Sequence, residues 1–232
     1  RAAVKEHNEL CDVITELSEL RKLENAPITG YEFAICTLVS YVCPTALILP
    51  YLKETLEEVK ARKLDPKPWY RARVAIVGSE IDDPELIKLI EDCGAFIVAD
   101  RYCYGSNPGR ERIELNDEED LVYQICRHYM TSSQCPRQMN YKKVQSRKDY
   151  IAKIAKEYKA DGIIYEQVKF CDPWAYERML GSHMLREDYG FPVLSVDRPY
   201  NINAGAGQMR TRVQAFIESI EIKKIQGGKD NG

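Results

Sequence analysis

Eight cysteines and three histidines are the side chains best suited to soft or nucleophilic chemistry in this 232-residue chain. The cysteines are Cys11, Cys36, Cys43, Cys93, Cys103, Cys126, Cys135 and Cys171. No two form a C-x-x-C pair, which excludes the zinc-ribbon, thioredoxin and ferredoxin spacings. A chain of this length with its own apolar core has no need of a secreted disulfide framework, so reduced thiols in a cytoplasmic protein are the default. Most of them are expected to be small buried hydrophobes. Cys171 stands apart, in the run Lys169-Phe170-Cys171-Asp172-Pro173. It precedes a helix begun by Pro173 and follows Lys169, so dipole and cation are both expected to favour its thiolate. A thiolate is a nucleophile and a soft metal ligand. The nucleophilic role wants a histidine base, but His128 and His183 fall inside helical patterns and His7 near the start. Metal ligation gains by comparison. A buried structural cysteine is the competing reading of Cys171, and the simpler one for Cys103 and Cys135 in their polar loops.

Other groups offer less. Glu80, Asp82 and Asp83 could form an acidic rim, yet capping and solvation explain them more simply. The run Asn203-Ala204-Gly205-Ala206-Gly207-Gln208 could present backbone N–H groups to an anion. It lacks G-x-G-x-x-G and the P-loop lysine, so a nucleotide site is not expected.

The elements that must position these residues change character along the chain. Residues 1–65 read as a helical segment: Val4, Leu10, Val13, Ile14, Leu17, Leu20 and Leu23 recur at helical spacing, and residues 47–63 repeat the pattern. Residues 33–52 carry no charge, but Pro44, Pro50 and several hydroxyls favour a buried helix–turn–helix corner over a membrane span. Residues 64–70, with Pro66 and Pro68, look like a linker. Short continuous apolar runs follow at 73–78, 95–100, 162–165 and 192–197, as expected of strands covered on both faces. Helical patterns lie between and after them, at 84–93, 118–130, 144–159, 174–189 and 207–222. Residues 66–232 are therefore expected to be a C-terminal α/β domain, a small parallel Rossmann- or flavodoxin-like sheet with helices on both faces. The expected strand order is 2-1-3-4. Asp83-Pro84 reads as a helix start, and Cys93-Gly94, Asp161-Gly162 and Tyr189-Gly190 as helix ends. Only residues 227–232 look disordered. With that strand order, ligands belong beyond the carboxyl ends of the first and third strands. The loops there are 79–83 and 166–173, and the second carries Cys171.

Composition narrows the partners. There are 33 basic and 36 acidic residues, a formal charge of -3, and 44% of residues are hydrophobic. Nothing in that balance asks for nucleic acid or an anionic membrane. The chain begins with Arg1 and not methionine, so part of the natural N-terminus is expected to be missing.

Val77-Gly78-Ser79 with Asp82-Asp83-Pro84, Asp161-Gly162-Ile163-Ile164, Lys169-Phe170-Cys171-Asp172-Pro173 and Gly207-Gln208-Met209-Arg210-Thr211-Arg212 occur in that order. Together they resemble the 2-hydroxyacyl-CoA dehydratase and benzoyl-CoA reductase superfamily over most of residues 71–225. The K-F-C-D-P run is the most specific element. The resemblance implies a subunit of two α/β halves, of which this chain looks like the second. It implies a [4Fe-4S] cluster held by three cysteines, with Cys171 as the last and two further ligands in the missing N-terminal half. Cys135 is a weaker ligand candidate, because related proteins with a double-cubane [8Fe-9S] cluster use more cysteines. It also implies an ATP-dependent activator as electron donor, an acyl-CoA substrate, and a homologous second subunit or a homodimer. The implied chemistry is a low-potential one-electron reduction of a CoA thioester, with the benzoyl-CoA reductase type preferred over the dehydratase for the sake of residues 212–225. The alternatives are a double-cubane reductase of small unsaturated molecules and a non-catalytic α/β partner subunit.

Overall fold

The computed structural model describes residues 1–137 and 140–229. Four strands, β1 (Ala72–Gly78), β2 (Ala95–Arg101), β3 (Gly162–Val168) and β4 (Val193–Arg198), form one sheet in the order β2-β1-β3-β4. Every pairing is parallel. The first two strands are buried along their whole length, which is why they read as unbroken apolar runs. On one face, α4 (Glu85–Glu91) and α8 (Ala206–Lys229) pack Leu86, Ile90, Val213 and Ile217 against Val74, Ile76 and Ile164. On the other, α6 (Tyr141–Glu157) and α7 (Asp172–Glu187) pack Ile151, Ala155, Trp174 and Leu185 against Val77, Phe96 and Tyr165. The shorter α5 (Leu121–Ser132) begins at Asp120, whose side chain accepts from the Tyr123 amide.

The N-terminal segment is helical as expected: α1 (Ala2–Glu19), α2 (Gly30–Val42) and α3 (Thr45–Ala61) enclose a core of their own around Leu17, Phe33, Leu52 and Val59. A capping box starts α2, with Thr29 and Glu32 each accepting from the other's amide. Buried charge ties this layer to the sheet. Glu91 on α4 accepts from the amides of Gly30 and Tyr31 at the start of α2 and of Ile97 on β2, at 2.8, 3.0 and 3.2 Å. Arg21 donates to Asp100 at 2.8 Å, and Arg110 reaches the same carboxylate at 2.9 Å.

Several expectations need correction. Pro44 does close the corner, but Pro50 lies inside α3, where it removes one ladder hydrogen bond. The corner is buried on one face only: Tyr41, Val42, Leu47 and Tyr51 are exposed. No helix among the described residues is long and apolar enough to cross a membrane. Gly94 and Gly190 adopt the left-handed conformation foreseen at two helix ends. Asp161-Gly162 does not end a helix; α6 stops at Glu157 and Lys159 takes the positive φ. Asp161 instead accepts from the Arg73 amide, and Gly162 opens β3 because a Cβ there would come within 2.8 Å of the Phe216 ring. Helix α8 runs three residues into the segment expected to be disordered, and residues 230–232 lie outside the described ones.

Candidate functional site at the carboxyl edge of the sheet

The strand order reverses between β1 and β3, so the crevice forms at the loops following Gly78 and Val168. Ser79 joins the two. Its carbonyl accepts from the Cys103 amide at 3.0 Å, and its hydroxyl from the Val168 amide at 2.6 Å. The same hydroxyl donates to Glu166 at 3.0 Å. Glu166 is buried, and Arg198 Nε donates to it at 2.7 Å. Arg198 also donates to the carbonyls of Glu80, Pro199 and Tyr200, so one guanidinium binds the loops after β1 and β4 together. The Arg198 carbonyl in turn accepts from the Lys169 amide at 2.8 Å, two residues before Cys171. Gly78 is required at this junction, because a Cβ would collide with the Glu166 carbonyl.

Cys171 sits where the sequence places it, as the residue before α7, with Pro173 in the first turn. Its thiol is half-buried and packs with Cys103 against the core that contains Trp174. The expected preference for the thiolate is not met. Burial pushes the Cys171 thiol up, as do Cys135 and Glu166 nearby, and the Trp174 amide and Arg137 only partly offset this. The assisting cation is thus Arg137, not Lys169. Burial likewise pushes the Cys103 thiol to about 12, with the Trp174 indole pulling it down and Cys135, Cys171 and Glu80 adding to the rise. Cys103, Cys135 and Cys171 come from three separate loops, and Cys135 lies near enough to act on both of the other thiols. Apart from that thiol, the buried Trp174 indole N–H has no hydrogen-bond partner among the described residues. That donor set suits a thiophilic metal group, with thiols as ligands and an indole N–H free to point at sulfur. It is not a complete site: among the described residues no three His, Cys, Asp or Glu side chains close around a metal position.

The remaining candidates divide cleanly. Asp83 accepts from the Glu85 amide and Asp82 from the Tyr200 hydroxyl, so capping and loop bracing account for the acidic rim. His128 and His183 stay on α5 and α7, and neither enters the surroundings of Cys171. Sequence reasoning missed His7 and Cys11, whose i,i+4 spacing on α1 brings Nε2 and Sγ to 3.3 Å, with the Tyr129 hydroxyl 3.1 Å from Nε2. Burial holds that thiol up at about 11 and lowers the histidine, so both are neutral. A cleft of about 610 Å³ between α1 and α6 is lined by Asp12, Glu16, Glu19, Asp100, Arg110 and Glu157 among others and contains none of the crevice cysteines. Phe170, next to Cys171, is 96% exposed and holds a left-handed backbone at φ 73°.

A family model described as 2-hydroxyglutaryl-CoA dehydratase, D-component, matches residues 1–220. The chain belongs to that family. Among curated relatives, the beta subunit of (R)-phenyllactyl-CoA dehydratase from Clostridium sporogenes is 29% identical over 172 residues, covering 73% of this chain and 43% of the relative. The beta subunit of lactoyl-CoA dehydratase from Anaerotignum propionicum is 26% identical over 178 residues, 76% of this chain and 44% of the relative. A benzoyl-CoA reductase subunit from Thauera aromatica is 25% identical over 228 residues, 96% of this chain and 56% of the relative. The chain spans about half the length of the curated relatives it matches. Membership in the dehydratase D-component family covers both the helical segment and the α/β sheet, including the K-F-C-D-P loop, and those relatives are named as subunits of larger enzymes.

Proposed function

We propose that this chain is part of an iron–sulfur subunit of an acyl-CoA enzyme, and that Cys171 is a ligand of its [4Fe-4S] group. The observation that carries the reading is the convergence of Cys171, Cys135 and Cys103 at the switch-point crevice, beside an indole N–H with no other partner. Cys171 would be among the residues that hold the group, which when bound would supply an electron at low potential for a CoA thioester, with an ATP-dependent activator as the donor. The chain's own residues do the rest. Ser79, Glu166 and Arg198 fix the loop that carries Cys171, and Trp174 with the aliphatic core beneath it keeps water from that side of the crevice. Raised thiol pKa values keep Cys103 and Cys171 protonated until a metal displaces the protons.

The dehydratase and reductase reactions share this first reduction. The reductase preference rests on residues 212–225; the benzoyl-CoA reductase relative covers 96% of this chain, while the two dehydratase relatives are more identical, at 29% and 26%. Anaerobic purification of the intact subunit with its partner and activator tests the reading. About four irons per subunit with ATP-dependent acyl-CoA turnover is the expected result. A double-cubane group would show about twice that iron and no turnover of thioesters, and a non-catalytic partner subunit would hold none.

A further inference from the structure

The main chain of Cys171 is gripped from both sides by the end of β3. Its amide donates to the Val168 carbonyl at 3.2 Å, and its carbonyl accepts from Gln167 Nε2 over a long 3.5 Å. The turn from Val168 to Cys171 puts Phe170 at the left-handed position, where glycine is the usual residue. The Phe170 ring is almost wholly exposed, so no contact of its own repays the strain. A strained turn of this kind persists only where its neighbours fix it. Gln167 is one such neighbour, and it is itself fixed. It is buried, and its Oε1 accepts from Arg178 Nε at 3.0 Å. A guanidinium carries donors and no acceptor, so Arg178 decides which end of the amide faces it. The NH2 end is thereby turned toward the Cys171 carbonyl.

Arg178 stands on α7, the helix that Cys171 caps. Its Nη1 donates to the Ser195 hydroxyl on β4 at 2.6 Å, so one planar fork spans β3 and β4. Both of its acceptors are neutral, and an ammonium on a flexible stem lacks that fixed fork. Ser195 is held in turn, because its carbonyl accepts from Arg212 Nη2 at 2.6 Å. Arg212 closes the run Gly207-Gln208-Met209-Arg210-Thr211-Arg212. A continuous chain of side-chain bonds therefore joins that run to the one that carries Cys171. We propose that Arg178 is a positioning residue for Cys171, acting through Gln167, with Ser195 and Arg212 as its anchor. It holds the strained turn in the conformation that presents the sulfur to the crevice.

This inference rests on the reading of Cys171 as a ligand, and the two can fail separately. The intact subunit and its Arg178→Met, Arg178→Lys and Gln167→Leu variants are purified without oxygen. Amide hydrogen exchange is measured on the metal-free proteins, and iron release to a chelator on the loaded ones. Each variant is expected to exchange the Cys171 amide, and to release iron, roughly tenfold faster than wild type, the equivalent of one lost hydrogen bond to a charged group. Amides inside β3 should keep their wild-type rates. Lysine should not rescue, because it keeps the charge and loses the fork. The double variant Arg178→Met, Gln167→Leu should be no faster than either single one, because the two residues act as one unit. A Cys171 amide at the wild-type rate in either single variant overturns the inference alone, as does rescue by lysine or a double variant in which the effects multiply. So does acceleration throughout β3, or a variant that fails to fold, since the residue would then be ordinary packing. Wild type without iron would end the ligand reading first, and this inference with it, whatever the exchange rates.

Discussion

Arg198 and Glu166 meet at 2.7 Å where β3 and β4 end, with both side chains sealed from solvent. The pair is the frame of the crevice. Breaking a buried pair by removing one partner leaves the other charge stranded, which costs about 3–5 kcal/mol. Arg198→Met is expected to lose about that much in urea unfolding. Replacing Glu166 by leucine at the same time should restore a large part of it, because both charges then leave together. Equal losses in the single and double variants would show that the pair is not the unit.

Gly78→Ala tests the close approach of β1 and β3. The new Cβ meets the Glu166 carbonyl, which is backbone and cannot swing aside. Overpacking of this kind costs about 1–3 kcal/mol, and the disturbance should reach the Val168 amide through Ser79. Hydrogen exchange at Val168 would report it; a protected Val168 amide in the alanine variant would contradict the described junction.

Glu91 gives a pH signature. Burial pushes its carboxyl up to about 7, and the amides of Tyr31, Ile97 and Gly30, with Arg21, only partly offset the shift. A raised folded-state value means that the folded protein holds a proton the unfolded chain has released. Stability from this group therefore falls as pH rises from about 4.5 to about 7, by about 3 kcal/mol at most. Glu166 is raised to about 7 as well and acts with the same sign. Asp100 acts in the other sense and lower down: Arg110 and Arg21 outweigh burial and depress it, so its contribution is lost only as pH falls below the usual carboxylate range. The urea midpoint of wild type should fall relative to that of Glu91→Gln as pH rises across the upper window. Parallel curves would show that Glu91 does not titrate there.

The thiol of Cys171 should ionise late. In metal-free protein, the pH midpoint of its carboxymethylation is expected above 9, the unperturbed value, because burial, Cys135 and Glu166 together outweigh Arg137 and the Trp174 amide. Mass spectrometry of the peptide containing Lys169 and Cys171 measures it. A midpoint below 9 would restore the helix-dipole expectation.

The sheet was legible because continuous burial leaves apolar runs, and strand-helix alternation leaves few topologies. The position of Cys171 followed from that order. The charged frame was not legible. Arg147 and Lys148 stand in a run, Ser146-Arg147-Lys148-Asp149, that reads as a solvated helix face, and only the packing of α7 shows them to be buried. Arg198 ends β4 and Glu166 lies two residues before the end of β3, 32 positions apart, so no local pattern pairs them. The thiolate expectation failed for a related reason. Dipole and cation are local and visible in sequence, whereas desolvation depends on what the fold places around the sulfur.

Iron retention by the Cys171→Ala variant of the intact subunit, expressed and purified without oxygen, bears most directly on the metal assignment. The expected result is a folded protein that has lost most of its iron and the visible absorption of the cluster. Full iron with an unaltered spectrum would contradict the assignment of Cys171 as a ligand.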